Sequence, residues 1–272
     1  MVRLFGPLIG LFFAVALLWS FGNGAYVAIT EPAAATAESV FHKHPKEVHF
    51  ASDGVFGRFD KEQLQRGFAV YKEVCSTCHS LKQVSFRDLT AIGYSEAEVK
   101  AIAKQWGNKA QTFDPKTGDR ADRENLASDH FPPVYYAGQG SPPDLSLMTK
   151  ARHEGPAYVY SLLTGYEAQP AAMLKQFPDA KTPDGLHYNP YFANLNLAMP
   201  PPLTTDGQVT YSDGTKASVD QMAKDVSAFL VWTAEPKLDK RKQTGWPVVG
   251  FLIAATILAY LAKKNVWADQ AH

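Results

Sequence analysis

The chain has 272 residues, room for one sizeable domain or two small ones. Its 27 Lys+Arg balance 27 Asp+Glu, so bulk charge gives no ground for a nucleic-acid partner. The first element is an apolar run, Leu4 to Phe21, behind Arg3. It is longer than the ~7–15-residue core of a secretory signal and approaches the ~18 residues that span a bilayer. Residues 1–25 are therefore either a signal, with small-residue cleavage sites at Asn23-Gly24-Ala25 or Ala35-Thr36-Ala37, or a retained signal-anchor, and the run's length leans to the anchor. Residues 26–56 read as an extended linker, punctuated by Pro32, the alanines from Ala33 to Ala35, and Pro45. His42, His44 and His49 lie there at a spacing that suits solvated side chains better than a metal site. A helix starts near Asp60, where Asp60 and Gln63 resemble a capping box. Leu64, Phe68 and Tyr71 repeat at i, i+4 and i+7 on one apolar face, and Gly67 leaves room for a second helix.

That face runs into Cys75-Ser76-Thr77-Cys78-His79, the C-x-x-C-H attachment pattern for a c-type haem. Two thiols at this spacing reach adjacent vinyl groups of one macrocycle, and the histidine follows in position to meet the iron. Two other chemistries share the cysteine spacing. A zinc site needs about four ligands, and there is no third cysteine. A thioredoxin-like pair is expected near a βαβ pattern, and none is legible. Both cysteines are spent on the haem, which leaves none for a disulfide. Covalent haem is attached after export, so the domain that carries it belongs outside the bacterial inner membrane or in an equivalent compartment.

Ser95 and Glu98 form a capping box for a helix with Val99, Ile102, Ala103 and Trp106, stopped at Gly107. Residues 107–144 are rich in Gly, Pro, Asp and Asn and read as long loops, a length that is usually functional or disordered. Gly155-Pro156 opens a third helix with Val159, Leu162 and Leu163 inward. Just before it stand Lys150, Arg152 and His153. A haem carries two propionates, but on the residues alone Arg152 reads as a solvated arginine. Met199, followed by Pro200, Pro201 and Pro202, is the second chemical site. A low-spin haem takes a sixth ligand, methionine opposite histidine raises the potential, and the prolines hold the backbone extended. Met148, Met173, Met222, His130, His153 and His187 are the other candidates. Gln208 to Ser212 with Asp213-Gly214 suggests a short hairpin. Ser218 and Gln221 cap a last domain helix with Met222, Val226, Phe229 and Leu230 on one face.

Trp246 to Ala262 is a second apolar run, with Trp246, Tyr260 and Trp267 near its ends as interfacial aromatics. It reads as a membrane anchor over residues 245–263 with a tail at 264–272. Between Ala25 and Pro236 there are 20 Lys+Arg against 25 Asp+Glu, a net −5. An acidic external domain favours a basic partner.

Together these stretches resemble the cytochrome c1 family, the haem subunit of the quinol–cytochrome c oxidoreductase (bc1) complex, in an alphaproteobacterial form. The resemblance rests on Arg66-Gly67-Phe68 with Tyr71 before Cys75–His79, Pro142-Pro143-Asp144-Leu145-Ser146, Ala151-Arg152-His153 with Tyr158-Val159, Ser161 to Tyr166, Asn189-Pro190-Tyr191-Phe192, Met199 to Pro202, and Ala223 to Pro236. It implies an all-α, cytochrome c-like haem domain with long loops at 57–236, plus the C-terminal transmembrane helix. It implies one haem c on Cys75 and Cys78, His79 and Met199 as axial ligands, Arg152 on a propionate, Tyr158 near the haem, and Pro142 and Pro143 lining its pocket. The implied function is passage of single electrons from a Rieske iron–sulfur protein to a cytochrome c. The implied neighbours are cytochrome b and the lipid bilayer, within a dimeric complex.

Overall fold

The computed structural model describes residues 2–31, 34–138 and 140–270. Pro32 and Ala33, part of the extended linker reading, lie outside the described residues. The described part is predominantly helical, with long loops between the helices. α1 (Val2–Thr30) continues past the apolar run read from sequence. A five-residue helix, α2 (Ala37–Phe41), follows. Next come α3 (Lys61–Glu73), α4 (Glu96–Gln105), strands β1 (Ala110–Phe113) and β2 (Arg120–Arg123), α5 (Gly155–Leu163) and α6 (Ala171–Gln176). Strands β3 (His187–Tyr188) and β4 (Asn196–Leu197), then α7 (Val219–Ala234) and α8 (Leu238–Val266), complete the order. α1 and α8 are both long and apolar enough to cross a membrane.

The core is built on the crossing of α3 and α7. Leu64, Phe68 and Tyr71 of α3 are buried as their spacing predicts, against Met222, Val226, Phe229 and Leu230 of α7. Gly67 sits at the crossing point: a Cβ there would lie 2.1 Å from the Asp225 carbonyl oxygen and 2.6 Å from Phe229 Cβ. Only glycine admits so close an approach. Aromatic rings fill the space on one side, with Phe86 and Phe131 at 4.3 Å and Trp106 edge-on to Phe131 at 4.9 Å between centroids.

The Asp225 side chain is fully buried at this crossing. Arg66 Nε donates to it at 3.0 Å, and Gln63 and Gln221 donate from 3.1 and 2.8 Å. Arg66 also reaches Asp213 at 2.7 Å. The expected capping box at Asp60 is corrected by this arrangement. Asp60 does accept from the Gln63 backbone N–H at 3.2 Å, but the Gln63 side chain serves the buried carboxylate instead of returning to the cap. The box at Ser95 and Glu98 forms as expected, with bonds of 2.7 and 3.3 Å.

Three loop readings differ from the structure. Residues 107–144 contain a hairpin, with Ala110 opposite Arg123 and Phe113 opposite Arg120. The expected hairpin at 208–214 does not form; Gln208 instead bridges its own loop, donating to the Pro202 carbonyl at 2.8 Å and accepting from the Thr204 N–H at 3.0 Å. Residues 42–50 are a docked strap. Lys43 N–H donates to the Pro190 carbonyl, Lys46 N–H donates to Ser161 Oγ at 2.7 Å, and Phe50 is buried in the core. Hydrogen bonds that satisfy an irregular backbone from distant side chains leave no periodic trace, which is why composition alone read this stretch as linker.

Candidate functional site

α3 delivers the cysteines. It ends at Val74, and Cys75–Thr77 makes one tighter 3-10 turn. The Cys75 carbonyl accepts from both the Cys78 and His79 N–H groups, at 3.1 and 2.9 Å. Both cysteines are unpaired and part-buried. Burial, with Cys78 adding to it, pushes the Cys75 thiol up to about 12. A dithiol redox couple or a zinc thiolate needs the opposite shift. Among the described residues no cluster of three His, Cys, Asp or Glu side chains could hold a metal ion.

His79 is oriented from both ends. Tyr71 Oη donates to its carbonyl oxygen at 3.0 Å. Its ring Nδ1 lies 2.8 Å from the Pro143 carbonyl oxygen. A carbonyl only accepts, so Nδ1 carries the proton and Nε2 keeps its lone pair. Burial lowers the imidazole's pKa below its ordinary value, against the opposing pull of the Pro143 carbonyl and Asp144. The result is a neutral imidazole with Nε2 free, the form that binds iron, with the second partner that ligating histidines usually have.

Pro143 is held in place by a set of cross-links. Leu145 N–H donates to the Ser80 carbonyl at 2.9 Å. Asp144 accepts from Lys82 N–H at 2.8 Å and Ser146 N–H at 3.0 Å. Ser146 Oγ accepts from Gln83 N–H at 3.1 Å, and Ser80 Oγ from Val134 N–H at 2.7 Å. Beside Cys78 opens a cavity of about 170 Å3, lined by Ser80, Val134, Tyr136 and Pro142 among others. The paired cysteines and the imidazole oriented beside them fit the attachment turn of a covalently bound haem.

Met199 follows β4 and is part-buried. Tyr166 Oη donates to its carbonyl oxygen at 3.0 Å. Arg152 is exposed, its Nη1 donating to the Ala151 carbonyl at 3.0 Å. The guanidinium also faces Tyr158: burial raises the pKa of that phenol, and Arg152 pulls it the other way. Burial and the nearby Tyr158 raise the pKa of Tyr166 as well, so both phenols stay protonated at neutral pH. The structure thus assembles two clusters, Cys75–Cys78–His79–Pro142–Pro143 and Arg152–Tyr158–Tyr166–Met199. The loops that carry Gly140 and Ala198 approach each other, a Cβ on Gly140 coming within 3.4 Å of Ala198 Cβ.

The other ligand candidates stand in different surroundings. Met222 and Met173 are enclosed in separate apolar clusters, and Met148 packs against the main core. His130 and His153 are exposed, and His187 stands edge-on to Tyr166 at 6.5 Å. His42, His44 and His49 are exposed and form no metal cluster.

Several residues around the site carry no role in the sequence reading. Tyr71 looked like one more core position, and its hydroxyl bond was not legible from periodicity. Ser80, Asp144 and Ser146 have ordinary loop composition. Tyr166 closes α5 after a glycine, with nothing in the pattern to point it at Met199.

Comparison with known proteins agrees with the site. A sequence profile described as the Cytochrome C1 family matches residues 50–270. A cytochrome c1 of Rhodospirillum rubrum is 42% identical over 236 residues, covering 80% of this chain and 86% of its own length. A cytochrome c1 of Cereibacter sphaeroides is 40% identical over 263 residues, covering 83% and 87%. A cytochrome b/c1 of Bradyrhizobium diazoefficiens is 43% identical over 239 residues, covering 79% of this chain and 34% of that longer protein. With the attachment turn and its oriented histidine in place, the chain belongs to the cytochrome c1 family: it carries one haem c bound through Cys75 and Cys78 and passes single electrons from a Rieske iron–sulfur protein to a cytochrome c, as a subunit of a quinol–cytochrome c oxidoreductase and not as an enzyme on its own.

Proposed function

We propose that His79 and Met199 are the axial ligands of this haem, that Arg152 binds a propionate, and that Tyr158, Pro142 and Pro143 line the pocket. The observation that carries this reading is the His79 Nδ1 bond to the Pro143 carbonyl, which leaves Nε2 as the only ring nitrogen able to ligate. A haem bound there supplies reversible one-electron iron chemistry, and a neutral thioether favours the reduced form. The chain's own part is to hold and orient. Tyr71 and Pro143 fix the imidazole, and Tyr166 together with three successive prolines fixes the backbone that bears Met199. Arg152 has the forked donor geometry that a carboxylate accepts, and Tyr158 beside it stays a neutral hydrogen-bonding phenol.

The haem domain, residues 57–236, lies on the periplasmic side of the bacterial inner membrane. Residues 245–263 cross the membrane, and 264–272 are cytoplasmic. This orientation rests on covalent haem attachment after export. Residues 1–25 serve as signal or signal-anchor, and 26–56 connect to the domain. The partners are cytochrome b, the Rieske protein and a cytochrome c acceptor in a dimeric complex. The Bradyrhizobium relative, whose name joins b and c1, supports the first of these. The acidic balance of the external domain supports a basic acceptor.

Purification in mild detergent tests the assembly: cytochrome b and a Rieske protein should accompany the chain. Under partner-limited conditions, the rate of reduction of a basic cytochrome c should fall as salt rises above roughly 0.1 M, where the Debye length is about 10 Å. A chain that purifies alone, or a rate flat across that range, would overturn the corresponding part of the reading.

A further inference from the structure

α8 does not leave the haem domain as a free stalk. Lys242, one turn before Trp246, directs its ammonium into the tight turn at 52–57. There it donates to the carbonyl oxygens of Ser52 at 2.8 Å, Gly54 at 2.6 Å and Gly57 at 3.1 Å. Phe59 N–H donates to Asp239 Oδ1 at 3.1 Å. The Trp246 ring stacks on Phe56, with centroids 5.4 Å apart and planes 13° apart. The turn's shape is demanding: Gly54 has φ +66°, and a Cβ on Gly57 would lie 1.9 Å from the Asp53 carbonyl oxygen. The apolar tip faces outward, with Val55 59% exposed and Phe56 80% exposed.

Two features distinguish this tip from an ordinary surface loop. Three of its carbonyls are already satisfied by one ammonium, which reduces the cost of leaving water. Its aromatic ring is also stacked on the residue that opens the apolar run of α8. Tryptophan at that position marks the level of the lipid headgroups, so a ring stacked flat on it lies at the same depth. Lys240 and Arg241 are exposed on the domain side of this level, Arg241 paired with Glu235.

We propose that Val55 and Phe56 are a membrane contact of this chain apart from its long apolar helices, entering the headgroup–acyl boundary of the phospholipid bilayer beside Trp246. This rests on the reading of α8 as the membrane anchor. The turn supplies a contact off the α8 axis, and Lys242 joins the two.

The test uses the full haem-bearing chain in nanodiscs of phosphatidylethanolamine and phosphatidylglycerol. Single cysteines are introduced as V55C, I257C or F113C and spin-labelled; Cys75 and Cys78, held as thioethers, do not react. Collision with oxygen, which concentrates in lipid, is compared with collision with a water-soluble nickel chelate. The label at 257 should favour oxygen and the label at 113 should favour nickel. The label at 55 should show an oxygen-to-nickel ratio several-fold above that at 113. A water-exposed label at 257 would overturn the anchor reading itself. A lipid-exposed 257 with a 55 label that behaves like 113 would overturn the second contact alone. A 55 label shielded from both reagents would also overturn it, by showing that protein covers the turn.

Discussion

The two sides of the proposed haem site are held by different physics. The Cys75–His79 side is tied from two stretches distant in sequence and from α3 just before it. Residues 80–84 bond to 144–146 and to 131–134, and Tyr71 and Pro143 hold His79 from opposite ends. Each of these bonds is backed by others. The Met199 loop has fewer ties: Pro200–Pro202, the Gln208 bond to the Pro202 carbonyl, the short β3–β4 pairing before it, and one phenol, Tyr166, at the Met199 carbonyl itself. One side is held by redundant bonds and the other by a backbone with little entropy to lose. A redundant side should tolerate single losses, and a sparse one should register each loss in the properties of the iron.

The largest effect expected is at the redundant side's covalent attachment. Cys75→Ala removes one of the two thioethers and leaves that at Cys78, so attachment should be impaired and the amount of haem that survives acid–acetone extraction and denaturing electrophoresis much reduced. Normal retention would break the account of the attachment turn. Arg66→Ala comes next. It strips the buried Asp225 carboxylate of its cation, which should cost roughly 3–5 kcal/mol in denaturant unfolding, while leaving the haem spectrum of the folded protein unchanged. A spectral shift would mean that the α3–α7 crossing and the ligand set are not separable. Met199→Leu should lower the midpoint potential by on the order of 100 mV, within the wide range that axial ligands command. A normal potential after this change, with a shifted one in a Met148 or Met173 variant, would reassign the ligand. The smallest effect is the sharpest test of the comparison. Tyr166→Phe removes one donor from the Met199 carbonyl, worth about 1 kcal/mol. It should lower the potential slightly and weaken the sulfur-to-iron charge-transfer band. The equivalent loss on the other side, Tyr71→Phe, should leave that band intact.

What was legible in the sequence follows this division. Helices α3, α4, α5 and α7 could be read because their apolar residues recur on one face, and Gly67 was readable as a contact because a glycine inside such a face calls for a reason. Cys75, Cys78 and His79 could be read because chemistry fixes their spacing. Met199 stood out through its prolines. The strap at 42–50 and the cross-links of Ser80, Asp144 and Ser146 could not be read, because a hydrogen bond to a distant backbone group imposes no period. The propionate role proposed for Arg152 comes only from the family resemblance. The structure places it on the surface beside Tyr158, which explains why its own sequence context looked ordinary.

Only Glu235, Pro236 and Lys237 separate α7 from α8. Glu235 accepts from Arg241 and pairs with Lys150 at 3.3 Å, while Leu238 is buried at the junction. A reactant on a long flexible tether searches a volume, and its effective concentration for a partner falls gradually with tether length. A three-residue tether pinned in this way searches almost none. Toward a stationary neighbour the haem edge is either within reach or permanently out of it. Movement of the haem domain relative to α8 is therefore confined to this short, pinned link.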